Sequence, residues 1–302
     1  MDRIKHKRKL LKILIEVTIV VGAWFFLVSF FAYYNVTHPR QTDYSLTPDS
    51  YSARYEDVYF QTDDDLRLAG WFMPASQEAM GTVVVMHGYP ANKADVLNWS
   101  LFLREKFNIL LFDFRYFGSS EGKYTTVGWD EKKDLKAAID YLVMRKDVNP
   151  EKIGVMGFSM GGAVGIMHGS DDPRIKAIVA DSAYASLDLM VENMFQKFGI
   201  LKKPMIWSLG QWSTWRVGVK PQNVSTVQAA SRSTIPLLLI HGTADQEIPL
   251  DHSEQIFQAT KGASELWEID NAGHGEAYFN EKTLYEAKVN SFFEANFASN
   301  KE

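Results

Sequence analysis

From residue 82 onward, short runs of consecutive apolar residues alternate with longer segments in which apolar positions recur every three or four residues. Thr82-Val83-Val84-Val85-Met86 is the first short run; residues 109–112, 153–156, 175–180 and 235–240 follow, and 265–269 completes the set. A strand that is apolar on both faces is covered on both sides, the usual condition of a parallel sheet flanked by helices. The helical period appears in 94–106, in 127–146, in the stretch after residue 159 and in 276–297. Within 127–146, Leu135, Ala138, Ile139 and Leu142 share one face. These patterns predict an α/β fold with a mostly parallel central sheet and helices on both faces. Ahead of that region, 55–61 and 66–73 alternate around Thr62-Asp63-Asp64-Asp65 and predict an antiparallel hairpin. The acidic triplet reads as a solvated turn rather than a cation site, because carboxylates favour turns.

One stretch breaks the alternation. Residues 184–230 are far longer than a crossover between strands needs, and they carry Met190, Met194, Phe195, Phe198, Met205, Trp207, Trp212 and Trp215. Those side chains could pack on a sheet edge; a helical lid over a site is preferred, since insertions of this size usually serve function.

The longest apolar run lies at the other end of the chain. Residues 13–34 contain a single charge, Glu16, and follow a basic segment, 1–12, with Arg3, Lys5, Lys7, Arg8, Lys9 and Lys12 against Asp2. As a helix, 22 residues would extend about 33 Å, enough to cross a bilayer core. Basic flanks favour the cytoplasmic side, so residues 1–12 are expected in the cytoplasm and everything after Tyr34 on the opposite side. An uncleaved signal anchor is preferred to a cleaved signal peptide, whose apolar core would be shorter and followed by small residues, and to a buried soluble helix. Residues 35–53, with Pro39, Pro48 and several Ser, Thr and Asp, are expected as a linker to a domain spanning 54–298. Three Asn-x-Ser/Thr triplets begin at Asn35, Asn98 and Asn223 and are assigned no role.

Composition narrows the chemistry. The chain of 302 residues is 46% hydrophobic, which suffices for a sizeable core. It has no cysteine, so disulfides, thiolate metal sites and a thiol nucleophile are excluded. Without residues 1–12, 26 basic and 36 acidic side chains leave a net charge of −10, which disfavours a nucleic-acid partner.

Gly157-Phe158-Ser159-Met160-Gly161 follows the apolar run 153–156 and precedes a helical segment, the context that a serine on a strand-to-helix turn requires. A serine hydroxyl needs a positioned base, most often a histidine held by a carboxylate. His274 in Asn271-Ala272-Gly273-His274-Gly275 and Asp245 in His241-Gly242-Thr243-Ala244-Asp245-Gln246 both follow strands, so parallel strands deliver them to the same sheet edge as Ser159.

With these motifs, His87-Gly88-Tyr89-Pro90 and the run from Asp113 through Gly122, the chain resembles α/β-hydrolase-fold serine hydrolases. It looks most like the branch of serine aminopeptidases, lysophospholipases and membrane-anchored relatives. The resemblance covers about residues 54–298 and implies Ser159 as nucleophile, His274 as base then acid, and Asp245 as the carboxylate that sets the imidazole tautomer. It implies an oxyanion hole from the backbone N–H groups of Tyr89 and Met160, with both side chains replaceable. No metal or organic cofactor is called for. Asp181, at the end of the strand after Ser159, is the alternative acid. Asp113 is expected to brace its own turn with Arg115, while His87 and His241 are expected to be structural. Relatives often carry glycine then histidine where this chain has Tyr116-Phe117, and that bulk is expected to narrow the pocket floor. Carboxylic esters, lipid-like ones foremost, are the expected substrates, since the candidate lid is aromatic and methionine-rich and the domain is expected beside a membrane; Glu192 as the lone acid between residues 189 and 227 also favours esters over peptides. Peptidase or thioesterase activity is the alternative enzyme reading, and a silent binding protein on a hydrolase fold the non-enzyme one.

Overall fold

The computed structural model describes residues 2–42 and 46–298; Asp43, Tyr44 and Ser45 of the expected linker and Met1 of the basic segment lie outside the described residues. Helix α1 (Asp2–Thr37) runs unbroken, past both ends of the expected span, and is long and apolar enough to cross a membrane. Its side chains are exposed from Arg3 to Trp24, and from Phe25 onward one face packs on the body while Phe26, Leu27 and Phe31 stay exposed. Beyond Thr37, the chain is tied down by Tyr116 Oη donating to Pro39 O and Asn92 Nδ2 donating to Thr42 O.

Strands β1 (Glu56–Gln61) and β2 (Arg67–Met73) form the expected hairpin. Next come β3 (Thr82–Met86), β4 (Asn108–Phe112), helix α2 (Glu131–Val143), β5 (Ile153–Phe158), α3 (Met160–Gly169) and β6 (Ile175–Asp181). The insertion then holds α4 (Leu187–Met194), α5 (Lys202–Val217) and α6 (Thr226–Ala230). β7 (Leu237–Gly242), α7 (Asp251–Ala259), β8 (Ser264–Ile269), α8 (Ala277–Asn280) and α9 (Lys282–Ala298) close the chain. The eight strands form one sheet in the order β1-β2-β4-β3-β5-β6-β7-β8, parallel from β4 to β8 and antiparallel at β1 and β2.

Alternate residues of the central strands feed two cores. Val84, Met86, Leu110 and Phe112 face α2 and α3, whereas Val83, Val85, Ile109 and Leu111 face α9 through Tyr285, Val289, Phe293 and Phe297. That two-sided burial is why the runs read as continuous rather than alternating.

Three expected elements differ in form. Residues 94–106 are not an α-helix but consecutive turns ending in a 3₁₀ segment, Leu101–Glu105. Ala94, Leu97, Ser100 and Leu103 are all buried, and each accepts a backbone hydrogen bond from the residue three positions on, so the period here is three and not 3.6. Helix α2 begins at Glu131 instead of residue 127, because Val127 and Gly128 both hold positive φ (52° and 113°). The buried Glu131 carboxylate gathers that turn, accepting from the Thr126 and Gly128 N–H groups and both threonine hydroxyls of Thr125 and Thr126. The closing helix is split at Glu281 into α8 and α9.

Candidate active site

Ser159 occupies the sharp turn between β5 and α3 with φ 51° and ψ −113°, a strained combination for a residue with a Cβ. The turn closes only because its neighbours are glycine: a Cβ on Gly157 would come within 2.2 Å of the Gly161 carbonyl carbon, and one on Gly161 within 2.6 Å of Met86 O. The serine N–H is held by Asp181 O at 2.8 Å, so β6 helps fix the turn.

His274 lies in the loop after β8, and its Nε2 is 3.1 Å from Ser159 Oγ. Its Nδ1 is 2.7 Å from Asp245 Oδ2. Asp245 divides its oxygens between two tasks: Oδ1 accepts the N–H groups of Glu247 and Ile248, both at 2.9 Å, leaving Oδ2 for the imidazole. Burial opposes the charge on Asp245, yet the His241 imidazole 3.5 Å away and the hydrogen bond from His274 outweigh it and hold the carboxyl well below the usual carboxylate range. Burial likewise works against the His274 cation, but Asp245 outweighs it and raises the imidazole above its ordinary value.

Asp181 is engaged elsewhere. Its Oδ2 accepts Tyr285 Oη at 2.9 Å and its Oδ1 accepts the Ser182 hydroxyl, so the structure brings Asp245, and not Asp181, against His274. Burial raises the Asp181 carboxyl above its usual range.

Tyr89 and Met160 flank Ser159 in the cavity wall. Met160 opens α3, so no carbonyl one turn earlier competes for its N–H. The turn bearing Tyr89 is organised by His87, whose Nδ1 donates to Gly88 O at 2.7 Å while Nε2 accepts the Phe114 N–H at 3.0 Å; a carbonyl can only accept, which settles the tautomer. His241 is structural in the same sense: Nε2 donates to Ile248 O and Nδ1 accepts from Ser253 Oγ, both at 2.7 Å.

Three expectations need correction. The Tyr89 side chain is not idle, for its hydroxyl donates to Val36 O near the end of α1 at 3.1 Å, and burial pushes its pKa up to about 12. Asp113 braces its turn through the Lys93 ammonium and the Ser119 N–H, while Arg115 pairs with Asp134 and with Asp64. Asp64 is therefore an ion-pair partner and not merely a solvated turn residue. Tyr116-Phe117 lie behind the turn bearing Tyr89 instead of on the pocket floor: Phe117 meets His87 and Tyr89 edge-on, and Tyr116 holds Pro39.

The cavity above Ser159 measures about 310 Å³. Val127, Met190, Met194 and Ile248 give it an apolar wall, and Tyr184, Asn193, Gln246 and Glu247 add polar edges. Met190, Asn193 and Met194 come from α4, so the insertion covers the site as a lid. Sequence reading missed Asn193, Gln246 and Glu247; the last two directly follow Asp245, and that proximity was the available signal. It also missed His252, which ties the lid to α7: Nδ1 accepts the Ala185 N–H and Nε2 lies 3.1 Å from the Asn193 amide.

A predominantly parallel eight-stranded sheet with a serine on the β5–α3 turn and a helical insertion after β6 is the α/β-hydrolase fold, and the protein is a hydrolase of that class. A model of the prolyl oligopeptidase family matches residues 120–300, and the chain belongs to that family. The uncharacterized protein YfhR of Escherichia coli (strain K12) is 33% identical over 240 residues, 76% of each chain. The α/β hydrolase domain-containing protein WAV2 of Arabidopsis thaliana is 28% identical over 250 residues, 79% of this chain and 78% of that protein. Among solved structures, the Pyrococcus furiosus esterase PF2001 superposes with a TM-score of 0.72 at 28% identity, covering 87% of this chain and 98% of that one.

Proposed function

We propose that this protein is a membrane-anchored serine hydrolase that cleaves carboxylic esters through an acyl-enzyme on Ser159. The observation that carries the reading is the continuous hydrogen-bonded chain from Ser159 Oγ through His274 to Asp245, opening into a largely apolar cavity. In this mechanism Ser159 Oγ attacks the ester carbonyl as its proton passes to His274 Nε2, and Asp245 holds the imidazolium through Nδ1. The N–H groups of Tyr89 and Met160 receive the oxyanion. Collapse expels the alcohol, which takes the proton from His274. Water deprotonated by the same imidazole then releases the acid and frees the serine.

A fluorophosphonate probe should label the wild-type protein and fail to label Ser159→Ala. An unlabelled wild type would overturn the catalytic reading and leave a binding protein on this fold.

Esters are favoured by the apolar wall and by the likeness to a solved esterase. A second reading, a peptidase acting near a free amine, is favoured by Glu247, which stands exposed at the cavity edge and supplies the acid that the lid itself nearly lacks. Nitrophenyl esters of increasing acyl length, run beside aminoacyl amides, separate the two. Preference for the amides, abolished in Glu247→Gln, would replace esterase by peptidase.

The same reading makes α1 an uncleaved anchor with residues 1–12 in the cytoplasm and the catalytic domain on the other side, supported by length, apolarity and flanking charge. It keeps the protein near the membrane-anchored lysophospholipase-like and aminopeptidase-like hydrolases. Protease added to intact cells should remove the body, and a fully protected body would reverse the orientation.

A further inference from the structure

Only part of α1 is exposed on every side. Ile13 to Trp24, twelve residues or about 18 Å of helix against a hydrocarbon core of about 30 Å, is bare all round, whereas from Phe25 onward one face, with Phe26, Leu27 and Phe31, stays exposed and the other packs on the protein. The remaining depth must come from the part of α1 that is already covered by the lid. There α5 lies alongside: the Trp212 ring is 4.2 Å from Phe26 and 4.7 Å from Phe30, its Nε1 donates to Ser29 Oγ, and the hydroxyls of Ser29 and Ser208 are 2.6 Å apart. Ser29 lies within the apolar run, and small hydroxylated residues bonded across helices are a recurrent contact between membrane helices. Burying these polar groups between two helices is what allows both helices to share an apolar medium.

On its other side α5 is bare and carries exposed indoles. Trp207 is 67% exposed and Trp215 72%, and the loop leading into α5 adds Ile200 at 94%. The same stretch, residues 187–220, holds Lys197, Lys202, Lys203, Arg216 and Lys220 against Asp188 and Glu192, a local excess of positive charge on an otherwise acidic body even with Lys202 paired to Glu192; the Arg216 guanidinium lies 5.9 Å from the Trp215 ring. Indoles at the depth of the headgroups, flanked by lysine and arginine, suit an anionic lipid surface.

We propose that the α4–α5 lid is embedded in the interfacial layer of the bilayer that α1 crosses, with Trp207, Trp215 and Ile200 at the boundary between headgroups and acyl chains. The cavity edge formed by Met190 and Met194 then opens at the lipid surface, and substrate enters from the membrane and not from bulk water. The proposal rests on the reading of α1 as an anchor.

Because the chain has no cysteine, single-cysteine variants report depth cleanly. Trp207→Cys and Trp215→Cys, with Val20→Cys in α1 and Met144→Cys on the body, would each carry a nitrobenzoxadiazole label. The full-length protein would be placed in phosphatidylcholine–phosphatidylglycerol vesicles containing lipids spin-labelled near the headgroup or deep in the chain. Met144 precedes β5 and so lies at the sheet edge away from the lid. Labels at 207 and 215 should be quenched by the shallow lipid more than by the deep one, that at 20 by the deep lipid, and that at 144 by aqueous iodide alone. Retained fluorophosphonate labelling of Ser159 confirms that each variant is folded. Iodide quenching at 207 and 215 with lipid quenching at 20 would overturn the proposal while leaving the anchor intact. Labels at 207 and 215 that neither quencher reaches would mean that a second protein surface covers the lid, and would overturn it too. If position 20 is not quenched by lipid, the anchor reading fails and the proposal falls with it.

Discussion

His274 is in contact with both partners that the proposed mechanism needs, and in that mechanism its protonation sets the working pH of the site. Its pKa is raised chiefly because Asp245 outweighs burial, and the general base must be neutral to act. Activity should therefore fall as pH drops through a value above the ordinary imidazole pKa of about 6.5. The acid limb of a kcat/KM profile measures it. Asp245→Asn removes the carboxylate that raises the pKa and orients the ring; kcat should drop by about 10⁴-fold, the size of the effect in the type serine protease. A loss below about tenfold would show that the imidazole is oriented by something else. Tyr89 offers a subtler test. Its hydroxyl joins the turn proposed to receive the oxyanion to α1 at Val36 O, so Tyr89→Phe should lower stability by about 1 kcal/mol and, on that proposal, lower kcat more than it raises KM, since the N–H it positions would act on the transition state. Thermal unfolding in detergent and steady-state kinetics on a short ester read the two effects.

Among the elements, α9 holds one face of the sheet. Phe293 packs on Phe107 and Phe297, and the ring fills the space left by Gly154 on β5, where a Cβ would meet it at 2.6 Å. Phe293→Ala should cost about 3–5 kcal/mol, read as a lowered midpoint of chemical or thermal unfolding, with little change in fluorophosphonate labelling of the protein that remains folded. The lid behaves differently. His252 of α7 meets it at Ala185 and at Asn193 in α4, and its middle rests on α1 through Trp212. The lid's own sequence disclosed an apolar insertion, but its supporting partner is some 180 residues earlier in the chain, and no local pattern reports a contact of that range. The turns at 94–106 mark the converse limit: their apolar spacing looks helical at first reading, and the buried three-residue period emerges only where Lys93 is drawn to Asp113 and the segment is packed from several sides.

For the whole molecule, α1 is a structural neighbour of the hydrolase body as well as its proposed anchor. A chain beginning at residue 38 would lose the Val36 acceptor and uncover the Trp212 ring and the Ser208 hydroxyl. Such a protein should aggregate or elute as oligomers on size exclusion in the absence of detergent, because a newly exposed apolar face of this kind associates. A monodisperse, fully active fragment would show that the α1–α5 contact is dispensable.

By itself the sequence determined the order of strands and helices, the two-sided burial of the central strands, the serine turn with its obligatory glycines, and the histidine and carboxylate that follow later strands. Those features are local: each depends on side-chain periodicity or on backbone conformations that few residues tolerate. Strand order left two acids at the same edge, Asp181 at the end of β6 and Asp245 in the loop after β7, and packing puts Asp181 against Tyr285 and Asp245 against His274. Tertiary structure also decided that Arg115 serves Asp134 and Asp64, that Glu247 reaches the cavity edge, and that the lid rests on the amino-terminal helix. Each of these is a meeting of groups distant in the chain, set by how sheet, lid and anchor close on one another in space.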